Sequence, residues 1–185
     1  MSNPKIAVYI CACGINIGSK VDVEAVRDFA ELLPYVAVAR TSKYTCSEPG
    51  QDVIQEDIRE GLVNRVVVAS CTPRMHEPTF QRALEAEGLN PYFFEMANIR
   101  EHVSWITEDP ELATEKAKRL VRSAVMRVSH HEALESRQEA VEQSALPLAT
   151  GVPERSPVAL AASSVTVPMI SSEGFASGRK EEGTS

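Results

Sequence analysis

Four cysteines, Cys11, Cys13, Cys46 and Cys71, are the only thiols in the chain. Each falls where an apolar, strand-like run stops: Ile6-Ala-Val-Tyr-Ile10, Val36-Ala-Val-Ala39 and Val66-Val-Val-Ala69. In a parallel α/β sheet the carboxyl ends of the strands form one edge, and ligands bind along it. Cysteines far apart in sequence can therefore meet at one place, as the ligands of a metal or cluster site. Four thiolates suit an iron–sulfur cluster, and they equally suit structural zinc. The spacing is neither a compact ferredoxin run nor a pair of Cys-x-x-Cys knuckles. Iron, zinc and ordinary buried thiols thus all stay open on the residues alone. The turns beside them are rich in Gly, Ser and Pro, and such turns expose backbone N–H groups that can hydrogen-bond cluster sulfur. Cys11 and Cys13 would face the same side of a regular strand. Both reach one centre only if the chain turns there, which Gly14 allows.

A second chemistry lies in Cys71-Thr-Pro-Arg-Met-His-Glu-Pro-Thr-Phe80. Cys71 with Arg74 and His76 close behind, near a helix start, could be a thiol of depressed pKa acting as a nucleophile. The simpler reading is that His76 and Glu77 cap or pair with the following helix. Gly14-Ile-Asn-Ile-Gly18 lacks the Gly-x-Gly-x-x-Gly spacing and gives no support for a dinucleotide site. Asn98-Ile-Arg-Glu-His-Val-Ser-Trp105 could be an interface. A packed loop is the plainer expectation, because tryptophan is usually buried. His130 and His131 read as a solvated pair at a helix end.

The elements that must position these residues alternate strand with helix. After Lys5–Ile10 the apolar set Val23, Val26, Phe29, Ala30 and Leu33 predicts a helix over Val21–Leu33, closed by Pro34. A strand at Val36–Ala39, a turn at Ser47-Glu-Pro-Gly and a helix over Gln51–Gly61 follow. Arg65–Ala69 is β-branched without interruption, as in a strand buried on both faces. Pro78–Gly88 reads as helix and Pro91–Glu95 as a short strand. Asp109-Pro110 is a cap and first position for a long helix striped by Ala113, Ala117, Leu120, Val121, Ala124, Val125 and Val128. The expected fold is α/β: a three-layer parallel sheet of about four strands with flanking helices, Rossmann- or flavodoxin-like. A 2-1-3-4 strand order would bring all four cysteines together.

Composition narrows the classes further. The chain has 185 residues, 43% hydrophobic and 24% charged, which is ordinary for a soluble globular protein. A net charge of -7 argues against a nucleic acid or an anionic membrane as partner. No apolar run approaches the roughly 20 residues of a membrane span. Met-Ser-Asn-Pro-Lys lacks the regions of a secretory signal. A cytoplasmic protein is expected, with its cysteines reduced or ligating. From Leu146 onward, Pro147, Pro153, Pro157 and Pro168 interrupt an Ala-, Ser- and Val-rich stretch. The expected division is a domain over 1–145 and a disordered or non-family tail over 146–185.

Several stretches resemble the N-terminal domain of the HdrA family of heterodisulfide reductases. They are Tyr9-Ile-Cys-Ala-Cys-Gly-Ile-Asn-Ile-Gly18, Tyr44-Thr-Cys-Ser-Glu-Pro-Gly-Gln51, Asn64-Arg-Val-Val-Val-Ala-Ser-Cys-Thr-Pro-Arg-Met-His-Glu-Pro-Thr-Phe80 and Asn90-Pro-Tyr-Phe-Phe-Glu-Met-Ala-Asn-Ile-Arg-Glu-His102. The family is an iron–sulfur flavoprotein that moves electrons among clusters, FAD and partner subunits; in methanogens it serves reduction of the CoM–CoB heterodisulfide. The resemblance implies one 4Fe-4S cluster here, with Cys11, Cys13, Cys46 and Cys71 as ligands. It implies partners among other heterodisulfide reductase-type subunits or electron-transfer proteins, and leaves a homodimer open. Some members carry a cysteine where Val103 stands. Full-length members continue into a glycine-rich FAD-binding turn and ferredoxin-type cysteine runs, and neither follows Leu146 here. A truncated or frameshifted member is therefore expected, an electron-transfer domain without complete catalysis of its own. Its rivals are a zinc-bound or metal-free docking module, using Trp105 and the long helix, and a thiol enzyme using Cys71 with His76.

Overall fold

The structure is a computed structural model that describes residues 3–140 and 164–170. They fall into two compact units, divided between Ala133 and Leu134. The first alternates strand and helix: β1 (Ile6–Cys11), α1 (Val23–Glu31), β2 (Val36–Ser42), α2 (Glu48–Arg59), β3 (Arg65–Ser70), α3 (Pro73–Ala86), β4 (Phe94–Asn98), a π-helical turn (Arg100–Ser104) and α4 (Pro110–Ser129). The strands form one parallel sheet in the order β2-β1-β3-β4, the order that gathers the thiol-bearing ends.

Alternation along the strands explains the layers. Ile6, Val8, Ile10, Val67 and Ala69 face one side, where Val26 and Ala30 of α1 and Ala117, Val121 and Val125 of α4 pack on them. Ala7, Tyr9, Val66, Val68 and Met96 face the other, against Ile54 of α2 and Phe80 and Leu84 of α3. Both central strands are buried along their whole length. Each face needs its own helix pair, so the three-layer α/β architecture expected from the sequence is the one observed.

Several boundaries differ from expectation, each for a local reason. Helix α3 begins at Pro73, not Pro78. Thr72 takes the cap position and Pro73 the first turn, where a missing N–H costs nothing, and Pro78 lies inside the helix. His76 and Glu77 therefore sit on the helix rather than before it. Helix α2 likewise starts at Glu48, absorbing the predicted turn, because Pro49 is tolerated in a first turn. Strand β4 starts later than predicted, since Asn90 holds a turn: its side chain accepts from the Tyr92 N–H at 3.0 Å and its carbonyl from the Phe93 N–H at 3.0 Å. His131 is not a freely solvated residue; its Nδ1 lies 2.9 Å from the Tyr92 carbonyl and its Nε2 3.6 Å from Glu95.

The second unit pairs β5 (Leu134–Ala140) antiparallel with β6 (Ser164–Ile170), from Leu134↔Ile170 to Ala140↔Ser164. Strand β6 lies within the 146–185 segment expected to be a disordered or non-family tail. Val165, Thr166, Val167 and Ile170 favour a strand, and Pro168 is tolerated because a two-stranded sheet has only edges. The rest of that segment lies outside the described residues. No helix among the described residues is long and apolar enough to cross a membrane.

Candidate metal centre

The strand register fixes where the thiols begin. Cys11 closes β1 opposite Ser42, the last residue of β2, and Ser70 closes β3 opposite Asn98, the last residue of β4. Cys71 follows one residue beyond. Each cysteine thus lies at, or just past, the carboxyl edge of the sheet. Cys11 and Cys71 are buried, at 4% and 5% exposure, while Cys13 and Cys46 are half-buried, and all four are free thiols. Cys13 packs against the core on the α1/α4 face, and Cys46 against the core on the α2/α3 face. The thiols therefore straddle the end of the sheet.

The turn that Cys11 and Cys13 require is present. Cys13 has φ 48° and Gly14 φ 62°, so the chain leaves the strand direction between them. A left-handed cysteine is uncommon and carries a modest strain that surrounding bonds must hold. Here the N–H groups of Ala12 and Gly14 donate to the Ser42 and Lys43 carbonyls at 2.8 and 3.2 Å, lacing the loop after β1 to the loop after β2. The Cys11 Sγ accepts from two backbone N–H groups, Cys13 at 3.3 Å and Thr45 at 3.4 Å. Sulfur-directed N–H groups of this kind stabilise a thiolate ligand and tune a bound group's potential.

The loop carrying Cys46 is held as firmly. Ser47 Oγ donates to the Tyr44 carbonyl at 2.6 Å, the Ser42 and Thr45 hydroxyls share a bond at 2.6 Å, and Gln51 Nε2 donates to the Cys46 carbonyl at 2.9 Å. Gly50, in the first turn of α2, lets that helix approach the loop; a Cβ there would lie 2.6 Å from the Tyr44 carbonyl oxygen.

Strand β4 brings no thiol to the edge. Its π-helical turn brings Arg100 instead, and such turns recur at functional sites. The guanidinium places Nη1 3.6 Å from Cys13 Sγ and Nη2 3.7 Å from Met75 Sδ, and pairs with Glu101 at 2.8 Å. Burial pushes the Cys71 thiol up, opposed next by the charge of Arg100. Burial likewise raises the Cys46 thiol, with Cys11 adding to the rise. A raised Cys71 is the reverse of an activated nucleophile, so a Cys71–His76 pair gains no support here.

Trp105 corrects an expectation. It is 59% exposed, not packed in a loop. Its indole N–H donates to Asn16 Oδ1 at 3.0 Å and Arg100 lies 5.1 Å from its ring centroid, so it spans two edge loops from outside. Val103, where the family resemblance led one to expect cysteine in some members, is fully buried in the core on the α1/α4 face.

The chemistry of these residues fits an iron–sulfur group. Thiol donors, N–H groups aimed at sulfur and a half-buried cation meet the needs of an anionic sulfur-ligated centre. One buried polar atom next to this edge, Glu101 Oε2, has no hydrogen-bond partner among the described residues. Among the described residues no three Cys, His, Asp or Glu side chains are grouped as one metal ion needs. Tetrahedral zinc would hold its sulfurs about 3.8 Å apart, from Zn–S bonds of ~2.3 Å. In a cubane each thiol binds a different iron, which asks for wider separation.

Fold and thiols together define a class: a parallel α/β domain whose ligand-type side chains stand on loops at the carboxyl edge of its sheet. No protein-family model matches the chain. It is 58% identical over 153 residues to the A subunit of the H2:CoB-CoM heterodisulfide,ferredoxin reductase of Methanothermobacter marburgensis, covering 82% of this chain and 23% of that protein. It is 56% identical over 150 residues to one of the iron-sulfur A subunits of the CoB–CoM heterodisulfide reductase of Methanopyrus kandleri, covering 80% and 23%. The corresponding iron-sulfur protein of Methanocaldococcus jannaschii shares 46% over 151 residues, covering 81% and 23%. Over its aligned part the chain belongs to the HdrA family of heterodisulfide reductases, as its sequence stretches led one to expect. It spans less than a quarter of the length of these curated relatives.

Proposed function

We propose that this domain holds one 4Fe-4S cluster on Cys11, Cys13, Cys46 and Cys71 and relays electrons within a heterodisulfide reductase-type complex. The observation that supports this reading is the placement of all four thiols at, or just past, the carboxyl edge of one sheet, with two backbone N–H groups aimed at the Cys11 sulfur. The bound group supplies one-electron chemistry. The chain's own residues do the rest. Thr45 and Cys13 direct N–H groups at the Cys11 sulfur, and the burial of Cys11 and Cys71 would limit water there. The electron partner would be a flavin, FAD by family resemblance, carried by a longer chain or by a partner protein. The cytoplasm, which keeps thiols reduced, suits such a centre.

Anaerobic purification of the full chain, followed by metal and sulfide analysis, tests this directly. The expected result is a brown protein with about four irons and four sulfides per chain. Serine in place of each cysteine in turn is expected to lower that yield. Zinc without sulfide would replace this reading with the docking module. A metal-free protein whose Cys71 alone alkylates rapidly at neutral pH would replace it with the thiol enzyme.

A further inference from the structure

We propose that Arg100 is a positioning residue that sets the redox balance of this centre by holding a fixed positive charge against the Cys13 sulfur. The proposal rests on the cluster reading above and concerns what β4 contributes to it. Three strands deliver cysteines to the edge; the fourth delivers a cation. That cation is not a loose surface side chain. Arg100 is 14% exposed, and its Nη1 lies 3.6 Å from Cys13 Sγ. The turn beneath it is fixed, since Asn98 Oδ1 accepts the Glu101 N–H at 3.0 Å and the Arg100 carbonyl accepts the Ser104 hydroxyl at 3.1 Å. Two lysines on the neighbouring loops are engaged elsewhere: Lys43 lies over the Tyr44 ring, and Lys20 donates to the Glu108 carbonyl at 3.2 Å.

The rival account is a plain structural ion pair between Arg100 and Glu101. Geometry separates the two. Glu101 occupies the Nε and Nη2 side of the fork, at 3.1 and 2.8 Å, and leaves Nη1 directed at sulfur. Glu101 therefore offsets part of the cation without cancelling it. A centre with four thiolate ligands gains one negative charge when one electron arrives from a reductant such as dithionite, with no bond made or broken. A fixed cation beside it favours the reduced form, and a fixed anion the oxidised form. Arg100 and Glu101 thus act with opposite signs.

The test uses the full chain, reconstituted anaerobically, as wild type, R100M, R100K and E101Q. Dithionite titrations followed by electron paramagnetic resonance read the midpoint potential. In R100M the ratio of oxidised to reduced centre at a fixed potential is expected to rise about tenfold, a downward shift of ~59 mV for one electron. R100K, which keeps the charge, is expected to recover most of that shift, and E101Q to move the other way. If R100M does not fold, R100K and E101Q still carry the comparison of sign. A second readout needs no cluster. In the apoprotein, the ratio of Cys13 alkylation rates by anionic iodoacetate and neutral iodoacetamide reports local charge independently of the thiolate fraction. One charge at ~7 Å in water changes an anion's approach about threefold, so the R100M ratio is expected to fall by that factor. Folded R100M with an unchanged potential overturns the proposal and leaves the cluster reading intact. Failure of every variant and of wild type to take up iron and sulfide overturns the reading, and the redox half of the proposal with it.

Discussion

Replacing Gly50 with alanine introduces a methyl group where the backbone leaves no room. The new carbon would sit 2.6 Å from the Tyr44 carbonyl oxygen and 2.7 Å from the Thr45 carbonyl carbon, and closer still to the Thr45 oxygen. To restore even a tight contact of 3.0 Å against Tyr44, the loop or the helix must give by at least 0.4 Å (3.0 less 2.6). Both partners are backbone, so no rotamer change relieves the clash. Overpacking of this kind costs ~1–3 kcal/mol. Alanine recovers at most ~1 kcal/mol of helix propensity, and less so close to a helix start. The net expectation is a loss of about 1–2 kcal/mol, and more if the loop resists. The displaced loop also carries Cys46 and the Thr45 N–H that bonds Cys11 Sγ at 3.4 Å, so iron and sulfide content is expected to drop in the same variant. Urea unfolding of the apoprotein, read as a change in midpoint at constant slope, measures the stability term. G61A supplies the control: a Cβ at Gly61 meets nothing within 4 Å, and only its φ of 70° is strained. An alanine at position 50 as stable as wild type, or one less costly than G61A, would refute the close-approach argument.

The remaining expectations follow from other buried groups. Tyr9 donates to Asp57 at 2.7 Å inside the core, so Y9F is expected to cost ~1.5–3 kcal/mol as a lost bond to a charged group; urea midpoints decide it. Burial pushes the Asp57 carboxyl up, but hydrogen bonds from Arg40 and Tyr9 and the charge of Arg40 outweigh it and hold the pKa below the usual carboxylate range. A depressed folded pKa gives stability that is complete above the unfolded value of ~3.9 and lost as pH falls through the folded one. The stability gap between wild type and D57N should thus be constant above about pH 4–5 and narrow below it, and identical acid slopes would exclude this origin. Exposed Trp105 is expected to be quenched readily by acrylamide, and W105F to change stability by no more than ~1 kcal/mol. A V103C substitution is expected to leave the iron count unchanged and to resist bulky thiol reagents in the folded protein; an increased iron count would show that position joining the ligand set.

What could be read from the sequence was what repeats or alternates. Val66-Val-Val-Ala69 is legible as a strand covered on both faces because every side chain is apolar, and α4 because its small residues recur on one stripe. The edge placement of the cysteines followed from those strands. Residues acting through tertiary partners were less visible. Asp57 looks like one more surface acid on a polar helix, yet its carboxylate is buried and bonded to Tyr9 and Arg40. Its only sequence signal is its place one turn after Ile54, on the apolar face. Arg100 stood in a segment read as a packed loop, because nothing local to it announces a sulfur from β1. Pro73 and Pro78 each satisfy a helix-start rule, and only the sheet's length decided between them.

The core lies on the two faces of the sheet, and the thiols lie at its carboxyl edge, Cys11 and Cys71 buried there and Cys13 and Cys46 half-buried. The sheet and its four helices are complete without any side chain from Cys13 or Cys46 joining the deep apolar clusters as a buried member. On the cluster reading proposed above, assembly and loading of this domain would be separable: the two apolar faces carry the fold, and the carboxyl edge of the sheet carries the thiols.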